Sequence, residues 1–413
     1  MARFTDTDAV ALAVGVRGLY DREKKREMAG IPLMIHGNPG LGKSAISEHV
    51  FDMLEIKPHV LELAKEQVET LTGFPIPYKR ESGEWVYRRA PAEDFVDAVG
   101  SGNGFILNDY TAAVGAVQKG SLGWLLERKM GKLSFCDVPI VATANFDEAT
   151  VTSQLNPAIA NRVAHIMFEE GGDAKAFRES GGMSQLTLSV EKLKLLREMD
   201  PVTGDFTERS NKIWKEHYNR AQALVSQYTA STAKYTDEPP TAVEHPLHYA
   251  YATDRSYDML TCMLAGALYM ELDDVALNRV VSSCIGEGRA TGMMAILEGR
   301  NIPSPADLYA GKVNWKTLRP SEAATLLYVV AKELSNASEL QAFSDGLHDF
   351  MKAHGEEAGD MAVLPIRILQ NRGRTTQTIA QTGAGGMKPV GTSLLAGLNK
   401  VKDEYAAKLG IEF

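Results

Sequence analysis

Eight consecutive residues, Gly37-Asn38-Pro39-Gly40-Leu41-Gly42-Lys43-Ser44, satisfy the spacing G-x-x-x-x-G-K-[ST]. Residues of these types in this order suit a polyphosphate. Glycines let successive backbone N–H groups turn inward onto phosphate oxygens, and the N-terminus of the following helix adds partial positive charge. Lys43 would reach the β- and γ-phosphates, and the Ser44 hydroxyl would ligate Mg²⁺. The flanks fit: Ile31-Pro32-Leu33-Met34-Ile35 reads as a strand entering the turn, and Ser44 to Phe51 as a helix leaving it. The candidate binding segment therefore runs from Gly37 through Ala45.

Hydrolysis of a bound nucleotide needs a metal, a positioned water and a positive charge facing the γ-phosphate. Candidates lie at strand ends. The apolar run Phe105-Ile106-Leu107 stops at Asn108-Asp109, and Val138 to Ala144 stops at Asn145. An acidic pair is the usual ending, one carboxylate orienting Mg²⁺ and the next polarising water. Here two registers are open. Either Asn108 takes the metal role and Asp109 the base role, or Asp109 takes the metal role and Tyr110 stands where the base belongs. Both imply slow turnover, because Asn108 carries no charge and Asp109 is one methylene shorter than Glu.

The elements that must position these groups follow from the rest of the chain. At 413 residues, two or more domains are expected. Hydrophobic content of 44% and charged content of 23% are those of a soluble globular protein, and a net charge of −9 argues mildly against a surface that wraps nucleic acid. Cys136, Cys262 and Cys284 are odd in number and widely spaced, which suits a reducing compartment; with no leader and no long apolar run, a cytoplasmic protein without membrane segments is expected.

Apolar spacing predicts a helix over about 5–25, and a strand near Val60-Leu61-Glu62-Leu63. A hairpin with a basic and aromatic tip is expected over Thr72–Arg89, and one helix over Val114–Arg128. Beyond Glu169 the signal is helical, with segments starting near Ile213, Ser256, Val275, Gly288, Pro320 and Leu340. His245 and His248 lack a third ligand and make a poor metal site. A Gly-rich linker near 382–389 precedes an amphipathic tail helix, Ser393 to Leu409. The expected division is 1–170, 171–380 and 381–413.

Taken in order, Gly37 to Ser44, Phe105 to Asp109, Val117-Gln118, Val141 to Asn145 and Leu155-Asn156-Pro157-Ala158-Ile159-Ala160-Asn161-Arg162 resemble the MoxR-like AAA+ ATPases. Leu71 to Pro75, Ala252 to Tyr257 and Ile302 to Asp307 continue the likeness, which covers roughly 30–310. The resemblance implies an α/β fold, a phosphate-loop ASCE parallel sheet with helices on both faces, followed by an all-α lid. It also implies a ring, usually a hexamer, holding ATP and Mg²⁺ between neighbours. By position Asn145 looks like the sensor that holds the attacking water, Arg162 like the arginine finger and Arg255 like the lid's sensor arginine. The spacing back from Val117-Gln118 favours the first register, with Asn108 as metal-orienting residue and Asp109 as base.

By the same resemblance the function is chaperone-like remodelling of a protein client, which in this family carries a von Willebrand A domain on a separate chain. The hairpins at about 72–89 and 126–135 fall where the family projects loops toward a pore. Two alternatives stand beside it: a nucleic-acid motor, disfavoured by charge, and an ATP-binding scaffold with little turnover, motivated by Asn108.

Overall fold

The computed structural model describes residues 4–100, 102–145, 155–168, 186–232, 234–239, 249–297, 305–334 and 337–355, with 303, 358, 361, 362, 365 and 366 as isolated positions. The expected linker, tail helix and His245-His248 pair lie outside the described residues. Five strands, β1 (Leu33–His36), β2 (Lys57–Glu62), β3 (Asn103–Asn108), β4 (Ile140–Ala144) and β5 (Ala164–Met167), form one sheet. Its order is β5-β1-β4-β3-β2, parallel throughout.

Every residue of β1 and β4 is buried, so the middle of the sheet is covered on both faces, as parallel sheets are. Inserting β4 between the phosphate-loop strand and the strand ending in Asn108-Asp109 is the ASCE layout. Ligand groups in such a sheet gather at the strand C-termini, and His36, Glu62, Asn108 and Ala144 end their strands there. An aromatic knot of Phe95, Phe105, Trp124 and Phe135 packs against β3, and Trp124 Nε1 donates to Leu71 O at 2.8 Å.

The N-terminal segment departs from the expected single helix. Helix α1 (Asp6–Gly15) is buried on every side and stops early; Arg17–Asp21 and Arg26–Ala29 then pair antiparallel. Leu19 and Tyr20 lie in this hairpin's first strand. Gly18 explains the break: a Cβ there would lie 2.3 Å from Gly30 O, so hairpin and backbone meet where only glycine fits. Arg17 anchors the hairpin, with Nε donating to Leu196 O at 2.8 Å and the guanidinium stacked 3.7 Å over Phe206.

The single helix expected over Val114–Arg128 is two, Gly115–Gly120 and Leu122–Glu127, divided at Ser121, whose hydroxyl bonds Tyr110 in the core. The expected hairpins form, as Phe74–Lys79 with Trp85–Ala90 and Lys129–Met130 with Leu133–Ser134. Strand β5, which the sequence reading does not include, adds the sheet edge next to β1.

The chain separates into two compact units, 1–221 with 232–294, and 222–231 with 295–413. In the first, the helix Asp254–Tyr269 packs on α1 and the N-terminal hairpin, and Asp274–Ile285 on β5, so the unit around the sheet extends past residue 170. In the second, Pro320–Glu333 and Ala337–His354 bury Leu327, Val330, Phe343, Leu347 and Phe350 against Trp315. Among the described residues no helix is long and apolar enough to cross a membrane.

Candidate nucleotide site

The glycine-rich loop is held at its first residue by the sheet. Gly37 N donates to Ala144 O at 3.2 Å, and a Cβ on Gly37 would come within 2.9 Å of Phe168 O. Gly40 and Gly42 both have φ of +81°, the left-handed region that favours glycine. Helix α2 (Lys43–Met53) follows with Gly42 as its N-cap and no side chain capping it. Its first amides therefore have neither a helical nor a side-chain acceptor, and they emerge beside exposed Asn38, Pro39 and Gly40. This glycine cradle fits an anion with several oxygens.

Lys43 is buried, and its Nζ donates to Gly37 O at 2.8 Å, Asn38 O at 2.9 Å and Asn145 Oδ1 at 2.8 Å. Burial pushes its pKa down to about 8, and the Asp109 carboxylate pulls in the opposite direction. Phosphate oxygens would hold the proton on more firmly than neutral carbonyls do. The free pKa is then the lower of the two, so nucleotide affinity should fall as pH rises past 8, with binding drawing protons from the buffer. Calorimetry in two buffers of different ionisation enthalpy should show uptake of roughly a quarter proton at pH 7.5 and close to one at pH 9. No uptake at pH 9 would place the ammonium away from the bound anion.

Across from the lysine, Ser44 Oγ donates to Asn108 Oδ1 at 2.7 Å, and Asn108 Nδ2 donates to Glu62 Oε1 at 3.0 Å. Asn145 Nδ2 donates to Asp109 Oδ1 at 3.1 Å, while Thr111 Oγ1 ties the Asn145 backbone at 3.0 Å and 3.1 Å. Thr143 Oγ1 accepts from Asp109 N at 3.2 Å. Asp109 itself is left-handed, φ 53° and ψ 45°, a strained conformation for a non-glycine residue that turns its carboxylate toward Asn145. Lys43, Ser44, Asn108, Asp109 and Asn145 are thus joined by a chain of hydrogen bonds at one end of the sheet.

Tyr110 is fully buried, its hydroxyl bonded to Ser121 and to Gln118 O, and burial raises its pKa. In the second register it would have to face the site, which this packing prevents. Glu62 is the residue that sequence reasoning did not assign. The sequence gives little sign of it, because Glu62 stands inside the run Val60-Leu61-Glu62-Leu63 and only the structure ends the strand at Glu62.

Arg162 and Arg255 come together elsewhere. Arg162 follows the short helix Pro157–Ala160 and donates from Nη1 to Ala158 O at 2.5 Å. Its Nε is buried with no hydrogen-bond partner, and burial, then the nearby Arg255 charge, lower its pKa. Thr253, the N-cap of the helix carrying Arg255, donates to Asn161 Oδ1 at 2.7 Å. Neither arginine has an ion-pair partner among the described residues.

Beneath the loop, His36 Nε2 and His165 Nδ1 are 2.8 Å apart, and His165 Nε2 lies 2.9 Å from Ala160 O. A carbonyl only accepts, so the proton of neutral His165 is on Nε2 and His36 donates from Nε2. Burial pushes the His165 pKa down to about 4, which keeps that ring neutral.

No family model matches the chain, and no curated protein does. Among solved structures, one described as a "putative ATPase" from Cytophaga hutchinsonii aligns with 15% sequence identity and a TM-score of 0.40, over 70% of this chain and 86% of that one. At that level the match carries no information on substrate or activity.

Proposed function

We propose that the protein binds MgATP at the loop Gly37–Ala45 and hydrolyses it as a homo-oligomeric ring of the MoxR-like AAA+ kind, a hexamer, to reshape a protein client. The observation that carries this reading is the hydrogen-bonded set of Lys43, Ser44, Asn108, Asp109 and Asn145 around a glycine cradle. In it Lys43 and the loop amides hold the phosphates. Ser44 and Asn108 stand on the side where Mg²⁺ would be held, and the metal would neutralise phosphate charge. Asp109, oriented by Asn145, is the base for water.

The oligomer enters this reading through Arg162, which by its place in the motif order resembles an arginine finger serving the phosphate of a neighbouring copy; it sits in the turn between the short helix Pro157–Ala160 and the edge strand β5. Arg255 lies close to Arg162, its helix tied to Asn161 through Thr253. Trp85 and Tyr87 on the long hairpin are 73% and 69% exposed, a surface suited to gripping extended polypeptide.

Particle mass with and without a slowly hydrolysed ATP analogue, together with identification of co-purifying proteins, tests the reading. An ATP-dependent ring is expected; a protein with neither ATP affinity nor ATP-dependent assembly would overturn it. The neutral Asn108 favours one second reading, an ATP-bound scaffold with little turnover, which a phosphate-release assay on the assembled ring separates from the first.

A further inference from the structure

We infer that Glu62, at the end of β2, supplies through Asn108 the negative charge that the end of β3 lacks, making Glu62 a positioning residue for the nucleotide's magnesium. The inference rests on the MgATP reading of the loop. Glu62 and Asn108 are register partners on adjacent parallel strands, and both are the last residues of those strands.

The chemistry of the contact fixes the amide. An ionised carboxylate can only accept, so the group 3.0 Å from Glu62 Oε1 must be Asn108 Nδ2. Asn108 Oδ1 is then turned toward Ser44 Oγ at 2.7 Å, with Thr143 Oγ1 also donating to it at 3.4 Å. A hydrogen bond to an anion on the nitrogen side polarises the amide and adds electron density at the oxygen. The result is an uncharged ligand-orienting oxygen backed by a full negative charge one residue away across the sheet.

Magnesium at such sites is typically held by one or two carboxylates with phosphates and water. Among the described residues no group of three His, Cys, Asp or Glu side chains is placed to hold a metal unaided. Asn108→Asp alone would replace the N–H that Glu62 accepts with a second acceptor, so the bond joining the two strand ends would be lost. Exchanging the two groups, with Glu62→Gln and Asn108→Asp together, keeps the bond with donor and acceptor reversed and moves the charge next to Ser44.

The test uses the full chain in four forms: wild type, Glu62→Gln, Asn108→Asp and the double variant. Affinity for a fluorescent ATP analogue is measured in EDTA and across a magnesium titration. Mn²⁺ affinity of the nucleotide complex is read by electron paramagnetic resonance. Glu62→Gln should weaken Mn²⁺ binding by about tenfold or more, the effect of losing a group behind a metal ligand, while nucleotide affinity in EDTA stays within about twofold. Asn108→Asp alone should not exceed wild type at neutral pH, and the exchange should recover most of what Glu62→Gln loses. Wild-type metal affinity in Glu62→Gln, or an exchange variant no better than Glu62→Gln, overturns the inference. Wild-type protein that binds no nucleotide in either condition would overturn the underlying MgATP reading as well, and that result is distinct from the first two.

Discussion

Lys43→Ala should abolish measurable stabilisation of the protein by MgATP while leaving the nucleotide-free protein folded. Folding does not need the ammonium: all three of its acceptors are neutral, and burial already works against its charge. Phosphate oxygens are charged acceptors, and hydrogen bonds to charged groups contribute about 1.5–3 kcal/mol each. Losing two such bonds would lower affinity by a factor on the order of 100 or more. Thermal melts with and without MgATP check both halves. The wild type should melt at a higher temperature with nucleotide and the variant should not, with the two proteins alike in its absence. An undiminished nucleotide-induced shift in Lys43→Ala would remove the phosphate loop from the account.

What could be read from the sequence was whatever is encoded locally. The loop was legible because its eight residues are contiguous and its glycines answer directly to backbone conformation: Gly40 and Gly42 do adopt positive φ. Asn108, Asp109 and Asn145 were legible as polar ends of apolar strands, and the long helical segments as periodic stripes. Glu62 carried no such signal, since Leu63 follows it in the apolar run; its significance lies in the register between β2 and β3, which brings together residues 46 apart in the chain.

Strand β5 was missed because four residues, one of them the buried His165, are too few to establish a period. In the N-terminal helix the error ran the other way. Leu19 and Tyr20 continue the apolar spacing of α1, and only the contact between Gly18 and Gly30 marks the change to a hairpin. The closeness of Arg162 to Arg255 was likewise beyond the motif order, since it depends on how the N-cap of the helix Asp254–Tyr269 meets Asn161.

Arg162 carries the second large effect. Arg162→Ala should lower turnover by a factor on the order of 1,000, as expected for an arginine facing the transferred phosphoryl group, with little loss of stability. Its structural contribution is small: Nη1 bonds Ala158 O four residues back, but Nε has no partner and Arg255 repels the guanidinium. Because Arg162 serves a neighbouring copy in this reading, its loss should be complemented in mixed assemblies. A subunit carrying Lys43→Ala has no working loop but retains Arg162, and a subunit carrying Arg162→Ala has a working loop but no arginine to offer. Each variant alone should be nearly inactive. Random co-assembly places a good loop against a good arginine at about a quarter of the interfaces of a cyclic ring, so the equimolar mixture should regain a comparable share of wild-type phosphate release. If instead the mixture is as inactive as its parts while still forming rings, Arg162 does not act across the boundary.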